Sequence, residues 1–346
     1  MPGAPVDDSL AAPFSRLTTE RVRVIATTQY GIDVAGIHRL DTERDDTYIL
    51  DDAQGRRVLL KVAHPTDSID TIDLSVRAMQ HVAQHDETLP VPSVIATTDG
   101  ELLVTVMGMD DEPRFARVLT WLPGRVPTLE VLTAKQSAGR GSLLGRLNVA
   151  LRHFEHPGSH RYIAWDLAQV GTLRPFLEHV IDPNTRNLVS TELDIYDEMT
   201  GPALRSMRQQ VIHNDLNSDN VLVADNDTDS VVGILDFGDV VHSATVADVG
   251  LAMSYVIDVL RPDSDPWTNP YALARAFHEQ QPLTDGEWAL LPSLVRARLS
   301  QRLLLGSWLS ATNPENAEYT SRTIESATIA LRLTHDRDPH EGLRDG

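Results

Sequence analysis

His213, Asp215 and Asn220 lie in one polar loop, after the apolar pair Val211-Ile212 and before the apolar run VLVA. Asp236 closes a second apolar run, VVGIL, and is followed by Phe237 and Gly238. Carboxylates and amides at such offsets are poor core material. If the two runs pair as a hairpin across the turn DNDTDS, the start of one strand meets the end of the other. Asn220 and Asp236 then become neighbours, an oxygen-only pair suited to magnesium, which takes few protein oxygens and completes its shell with phosphate and water. Asp215 is left to orient a substrate hydroxyl and accept its proton. An acidic hairpin with Asx turns would explain the Asp- and Asn-rich turn, but neither His213 nor the acid set directly after a buried strand.

The spacing H-x-D-x-x-x-x-N, followed by D-F-G, is that of the catalytic and metal-binding motifs of kinase-type phosphoryl transfer. Such a site also needs a cation for the phosphates. Lysine occurs only at Lys61 and Lys135, every other fixed cation being arginine. Lys61 sits in the apolar stretch RRVLLKVA, where a kinase fold holds its third-strand lysine. Its partner acid is expected from the following helix, as Asp73 in preference to Asp70. Other patterns fall away. His81 and His85 have the i,i+4 spacing of a zinc pair but no acid in the expected place. GRGSLLG follows no strand and lies inside a helical pattern, so it reads as close helix packing. No G-x-x-x-x-G-K-[ST] and no G-x-S-x-G occurs.

The elements that must position these residues can be read from periodicity. TYILDDAQGRRVLLKVA predicts two strands around a turn at Ala53-Gln54-Gly55. Ile69, Ile72, Val76, Met79 and Val82 predict an amphipathic helix. ELLVTVM and RFARVLTWL predict further strands. LPGRVP breaks the pattern, and the chain beyond it is mostly helical. There, VLVA and VVGILDF are the only convincing strands, and TDGE, Thr284 to Glu287, has capping-box spacing. The expected organisation is an N-terminal nucleotide-binding lobe over 19–121, a hinge at 122–127, a helical C-terminal catalytic and substrate lobe over 128–335, and mobile tails at 1–18 and 336–346. The expected class is therefore α+β: a small antiparallel-sheet lobe with one helix and a larger, mainly helical lobe.

A chain of 346 residues exceeds one ordinary core. The formal charge of -20 argues against nucleic acid or an anionic membrane as partner and favours a cationic small molecule. The absence of cysteine excludes disulfides and thiol catalysis. No run of eighteen apolar residues is present, and the first residues lack the basic and apolar segments of a signal peptide, so a cytoplasmic protein is expected.

HNDLNSDNVLV and GILDFGDVVHSATVADVGLAMSYV resemble the catalytic loop, metal loop and following helix of the aminoglycoside phosphotransferase and choline kinase superfamily, in particular its hydroxylysine kinase-like branch. ERDDTYIL, VLTWLPGRVP and RARLSQRLLLGSWLSATNPENAEY resemble its nucleotide loop, hinge and late helix. The resemblance implies a bilobal protein-kinase-like fold that uses ATP, with GTP as the alternative, and Mg2+. It implies Asp215 as catalytic base, Asn220 and Asp236 as magnesium ligands and Lys61 as the phosphate-binding lysine. Glu43, Arg44 and Asp45 would cover the phosphates, and adenine would contact the hinge near Leu119, Trp121 and Leu122. Asp248 would brace the catalytic loop, and His213 would pack against the D-F-G turn. Asn214 departs from the family's commoner glycine. Asp239, Trp308 and Asn313 are candidates for the acceptor pocket, which would take a hydroxylated, amine-bearing molecule such as hydroxylysine, an amino alcohol or an aminoglycoside. Too few residues separate Asp236 from Asp248 for a protein kinase's activation segment. A nucleotide-binding regulator without turnover is the rival from another class.

Overall fold

The computed structural model describes residues 14–40, 42, 45–127, 132–312, 317–337 and 339. Two compact units emerge. One holds the described residues up to Pro123 together with His156–Gly158; the other holds the described residues from Gly124 onward apart from those three.

The first unit runs α1 (Thr19–Tyr30), β1 (Val34–Leu40), β2 (Asp46–Asp52), β3 (Arg57–Val62), α2 (Ile69–His85), β4 (Val94–Ile95), β5 (Val104–Met107) and β6 (Pro113–Thr120). Among the described residues these strands form one antiparallel sheet in the order β1-β2-β3-β6-β4, with β5 also on β6. The β2–β3 hairpin turns at Gly55, whose φ of 81° lies in the region glycine tolerates best. Alternation along β3 divides the sheet into two faces. Val58, Leu60 and Val62 join Val22, Ile25, Ala26 and Tyr30 of α1 in the core, with Tyr48, Leu50, Ala116 and Val118 from neighbouring strands. Leu59 and Lys61 go to the opposite face.

This unit carries two helices, where periodicity suggested one. α1 is rich in β-branched residues and only weakly amphipathic. Its boundaries are set instead by Thr18, whose hydroxyl accepts the Arg21 N–H at 3.2 Å, and by Gly31 at φ 63°. Within residues 14–18, expected in a mobile tail, Leu17 is buried and its N–H donates to Asp46 at 2.7 Å, while Thr18 is exposed. In α2, Ser68 caps the Thr71 N–H, and Ile72, Val76, Met79 and Val82 are buried, while Ile69 at the first turn is exposed.

The second unit contains α3 (Ala134–Leu151), α4 (Pro183–Ile195), α5 (Gly201–Ser206), β7 (Gln209–Ile212), β8 (Val221–Ala224), β9 (Asp227–Ile234), β10 (Val241–Ala244), α6 (Thr245–Ser254), α7 (Thr268–Gln280), α8 (Asp285–Thr312) and α9 (Ala317–Asp336). It has more strand than expected, because β7 pairs with β10 in addition to the β8–β9 hairpin. The capping box forms at α8: Thr284 Oγ1 accepts the Glu287 N–H at 3.2 Å, and Glu287 Oε2 accepts the Thr284 N–H at 2.8 Å. Among the described residues no helix is long and apolar enough to cross a membrane.

GRGSLLG is a contact surface between α3 and α7. A Cβ on Gly141 would stand 2.0 Å from Leu273 O, and one on Gly145 would stand 2.7 Å from Gln280 Cβ. Gly141→Ala is therefore expected to destabilise the protein by about 1–3 kcal/mol or more through overpacking. Gly286→Ala on α8, where the new methyl meets Met207 Cε at 3.6 Å and Thr284 Oγ1 at 4.0 Å, both ordinary contacts, is expected to be neutral or mildly stabilising. Urea denaturation of the two variants checks this; equal midpoints would contradict it.

Candidate active site

The two ladders of the second unit meet around two loops. β7 leads into residues 213–220, which lead into β8; β9 leads into residues 235–240, which lead into β10. Antiparallel pairing places Val221 opposite Ile234, and the Leu235 N–H continues the ladder by donating to Asn220 O at 2.8 Å. Asn220 and Asp236 thus stand at adjoining ends of one hairpin.

His213 links the loops. Its Nε2 donates to Leu235 O at 3.0 Å, its Nδ1 accepts the Asp215 N–H at 3.3 Å, and its ring packs edge-on against Phe237 with centroids 5.2 Å apart. That arrangement assigns the ring proton to Nε2. Asp248, from α6, is fully buried beneath the same loop. Its Oδ1 accepts the Asn214 N–H at 2.8 Å; its Oδ2 accepts the His213 N–H at 3.2 Å and the Asn148 Nδ2 at 2.8 Å. A buried carboxylate needs such a full set of donors, since an unpaired one would be expelled or neutralised.

Held this way, the backbone turns sharply. Asn214 adopts φ 64° and Asp236 φ 56°, left-handed values that cost a side-chain-bearing residue about 1–2 kcal/mol. Asn is among the few residues other than glycine that enter this region readily. The Asn214 amide is buried, with neither Oδ1 nor Nδ2 hydrogen-bonded.

Asp215 is the most constrained acid of the site. Asn217 Nδ2 donates to its Oδ1 at 3.0 Å and Asn220 Nδ2 to its Oδ2 at 2.6 Å. Asn217 is itself fixed by accepting the N–H groups of Asp219 and Asn220. Arg298, from α8, approaches Asp215 Oδ1 at 3.9 Å. This arginine is buried and committed to Trp165 O at 2.6 Å and Gln301 Oε1 at 2.8 Å, with its guanidinium 4.9 Å from the Trp165 ring centroid. Burial pushes the Asp215 carboxyl well above the usual carboxylate range; the charges of Asp239 and Asp236 add to this, and Arg298 opposes it. Asp239 is raised in the same sense by burial and by Asp236, opposed by Arg161 and Arg298. Arg161 shapes that loop by donating to Gly238 O and Val240 O. The charges of Asp236 and Asp239 thus act on Asp215, and that of Asp236 on Asp239, while among the described residues no three His, Asp or Glu side chains are grouped so as to hold a metal ion by themselves.

The residues fit magnesium. With its Nδ2 spent on Asp215, Asn220 keeps its carbonyl oxygen as the side-chain donor it could offer a cation, and Asp236 is exposed at the turn, where its Oδ1 also accepts the Gly238 N–H. Both are hard oxygen donors. Asn220 and Asp236 would hold such an ion only in part, and substrate phosphate and water would supply the remaining oxygens.

In the first unit, Lys61 is largely buried, and its Nζ lies 3.1 Å from Asp45 Oδ2. The acid on Lys61 is thus a loop residue and not Asp73. Asp73 instead engages Arg77 at 3.1 Å and His156 at 3.2 Å, because its position on α2 presents it to its own i+4 neighbour. Leu119 is buried on β6 opposite Leu59, Leu122 is half-buried, and Trp121 is exposed beneath the Arg57 guanidinium at 5.3 Å. Trp308, half-buried, stacks on Phe176 at 5.3 Å, about three turns along α8 from Arg298. Glu43, Arg44 and Asn313 lie outside the described residues. The motif-based reading missed Asn217, Arg161 and Arg298. Asn217 carries a local signal, an Asx-turn residue inside the loop, but the two arginines reach the site from distant segments without one.

Residues 37–266 match the APH phosphotransferase enzyme family, and the chain belongs to it, hence to the small-molecule kinases. Hydroxylysine kinase of Mus musculus is 26% identical, the match covering 92% of this chain and 89% of that protein. Homoserine kinase of Polaromonas naphthalenivorans is 28% identical over 72% of this chain and 74% of its own length. Among solved structures, amicoumacin kinase hAmiN in complex with AMP-PNP, Ca2+ and Ami superposes with a TM-score of 0.69 at 17% identity, covering 94% of this chain and 97% of that one. The fold is therefore protein-kinase-like, with an antiparallel-sheet N-lobe and a helical C-lobe.

Asp248→Asn would set an amide N–H2 among three donors. It is expected to cost about 2–4 kcal/mol of stability and to lower turnover, whereas Asn214→Gly should leave stability unchanged or raised by up to about 1 kcal/mol. Chemical denaturation of both variants decides: an Asp248→Asn protein as stable as the parent would contradict the brace.

Proposed function

We propose that this protein transfers the γ-phosphate of ATP to the hydroxyl of a small, amine-bearing molecule in the cytoplasm, with magnesium as cofactor. The observation that carries the reading is the placement of Asp215, fixed by two amide donors and flanked by further acids. Burial raises its affinity for a proton while both of its oxygens stay oriented.

The chemistry then follows from positions. Asp215 orients the acceptor hydroxyl and takes its proton as the oxygen forms a bond to the γ-phosphorus. The bond from that phosphorus to the bridging oxygen breaks, and ADP departs with the electron pair. Asn220 Oδ1 and Asp236 would hold magnesium, which when bound supplies charge neutralisation across the phosphate oxygens. Lys61, on the N-lobe sheet, would offer an ammonium group to nucleotide phosphates. Positioning and preorganised charge supply most of the rate enhancement in such a reaction.

The acceptor is read as an amine-bearing alcohol because an ammonium group suits the acids around Asp239, and because the likeness to hydroxylysine kinase spans most of both chains. Magnesium is supported by the motif set, and ATP by the motif set and by a protein sharing the fold whose complex holds AMP-PNP and Ca2+. A coupled ADP-release screen over hydroxylysine, homoserine, amino alcohols and aminoglycosides tests the reading. Acceptor-dependent release is expected from at least one hydroxylated amine; nucleotide binding without release across the pool would favour the non-catalytic regulator. Asp215→Asn is expected to keep nucleotide affinity and lose turnover by about 10²-fold or more. Asp236→Ala should instead abolish the magnesium dependence of nucleotide binding. Undiminished turnover in Asp215→Asn would remove the base assignment.

A further inference from the structure

Lys61 and Arg117 are direct cross-strand partners on β3 and β6. Two cations therefore stand side by side on one sheet face, an arrangement that is destabilising unless an anion joins them. The joining group is Asp45, whose Oδ2 lies 3.1 Å from Lys61 Nζ and 2.8 Å from Arg117 Nη2.

One carboxylate oxygen does not satisfy Arg117. The side chain is 5% exposed, and its Nε and Nη1 are buried without a hydrogen-bond partner. Buried donors left unpaired cost about 1–3 kcal/mol each. Arg114, three residues earlier and on the opposite face, behaves differently: its three nitrogens donate to Ala63 O, Val62 O and Ser15 O. Arg114 is a structural arginine with its donors used, whereas Arg117 has donors to spare. The register also continues the face on which Arg117 stands. Ile49 pairs with Leu59 and Leu59 with Leu119, next to Thr47, Lys61 and Arg117. An apolar strip thus ends in a pair of cations, the order of properties met along a nucleotide from its base to its phosphates.

We infer that Arg117 is a second phosphate-binding cation beside Lys61, and that Asp45 stands in for the phosphate and must leave the pair when nucleotide binds. The inference rests on the kinase reading above. Planar guanidinium suits it, since a fork of N–H donors matches phosphate oxygens better than a point charge does. Asp45 acts as an internal competitor that keeps the two cations from repelling each other in the free protein.

The test compares Mg·ATP with adenosine in equilibrium binding to the full-length protein, because adenosine lacks the group the clamp would hold. Arg117→Gln is expected to weaken ATP binding about tenfold or more, the scale of a lost charge-assisted hydrogen bond, and to leave adenosine within about twofold. Asp45→Asn is expected to tighten ATP binding several-fold with adenosine unchanged. Arg117→Lys, which keeps a cation, should fall between Arg117→Gln and the parent and serves if the glutamine variant does not fold. Equal losses for ATP and adenosine, or unaltered ATP binding in both Arg117 variants, would overturn the clamp. Weaker ATP binding in Asp45→Asn would overturn the competitor role. A parent protein that binds adenosine but gains nothing from the triphosphate would sink the kinase reading and the clamp with it, whereas a clamp failure alone leaves the parent's preference for ATP intact.

Discussion

The loop that carries Asp215 depends on a single buried carboxylate. Asp248 has no access to water, and a carboxylate in such a place is tolerated only when hydrogen bonds replace its hydration. The donors it recruits are two consecutive backbone N–H groups, those of His213 and Asn214, and the amide of Asn148. Directly after these two N–H groups the chain turns at Asn214, in the left-handed region. Asp215 follows directly, so its position results from the brace. The same logic extends outward, since Gln210 on β7 donates to Asn148 O at 2.8 Å and ties the brace to the strand that delivers the loop.

Backbone strain gathers at these loops. Of three described non-glycine residues with positive φ, two are Asn214 and Asp236. Departures of this kind persist when surrounding structure over-determines them, and they cluster where function needs a fixed geometry. The β7–β10 and β8–β9 ladders supply that over-determination by fixing both ends of each loop. The crowding of Asp215, Asp236 and Asp239 belongs to the same pattern. Their mutual repulsion raises the proton affinity of Asp215 and Asp239.

Much of this was legible locally. His213, Asp215, Asn220 and Asp236 fall within a short stretch whose strand pairing follows from two apolar runs and an acidic turn, so offset along the chain translated into proximity. The same holds for the Thr284–Glu287 capping box and the close-packed glycines of α3, where the signal and its cause lie within a helical turn or two. What was lost lies elsewhere. β7 and β10 are four residues each and gain stability only from pairing with one another. α1 has a β-branched composition that propensity disfavours, and tertiary packing of its apolar side overrides that preference. Arg298 reaches Asp215 from a helix far along the chain, and no periodicity encodes such a reach. The Lys61 partner was misjudged because helix position was weighed while a loop acid, Asp45, could be delivered by strand register: β2 begins at Asp46, and Thr47 lies beside Lys61.

The most direct test of the brace is native-state amide hydrogen exchange at His213 and Asn214, followed by NMR in the nucleotide-free protein. A loop held by Asp248 predicts that both amides exchange as slowly as those of the neighbouring strand β7, through global unfolding. Exchange of either amide at the rate of an exposed loop would contradict it, since the N–H groups would then be bonded to water and Asp215 would owe its position to something else.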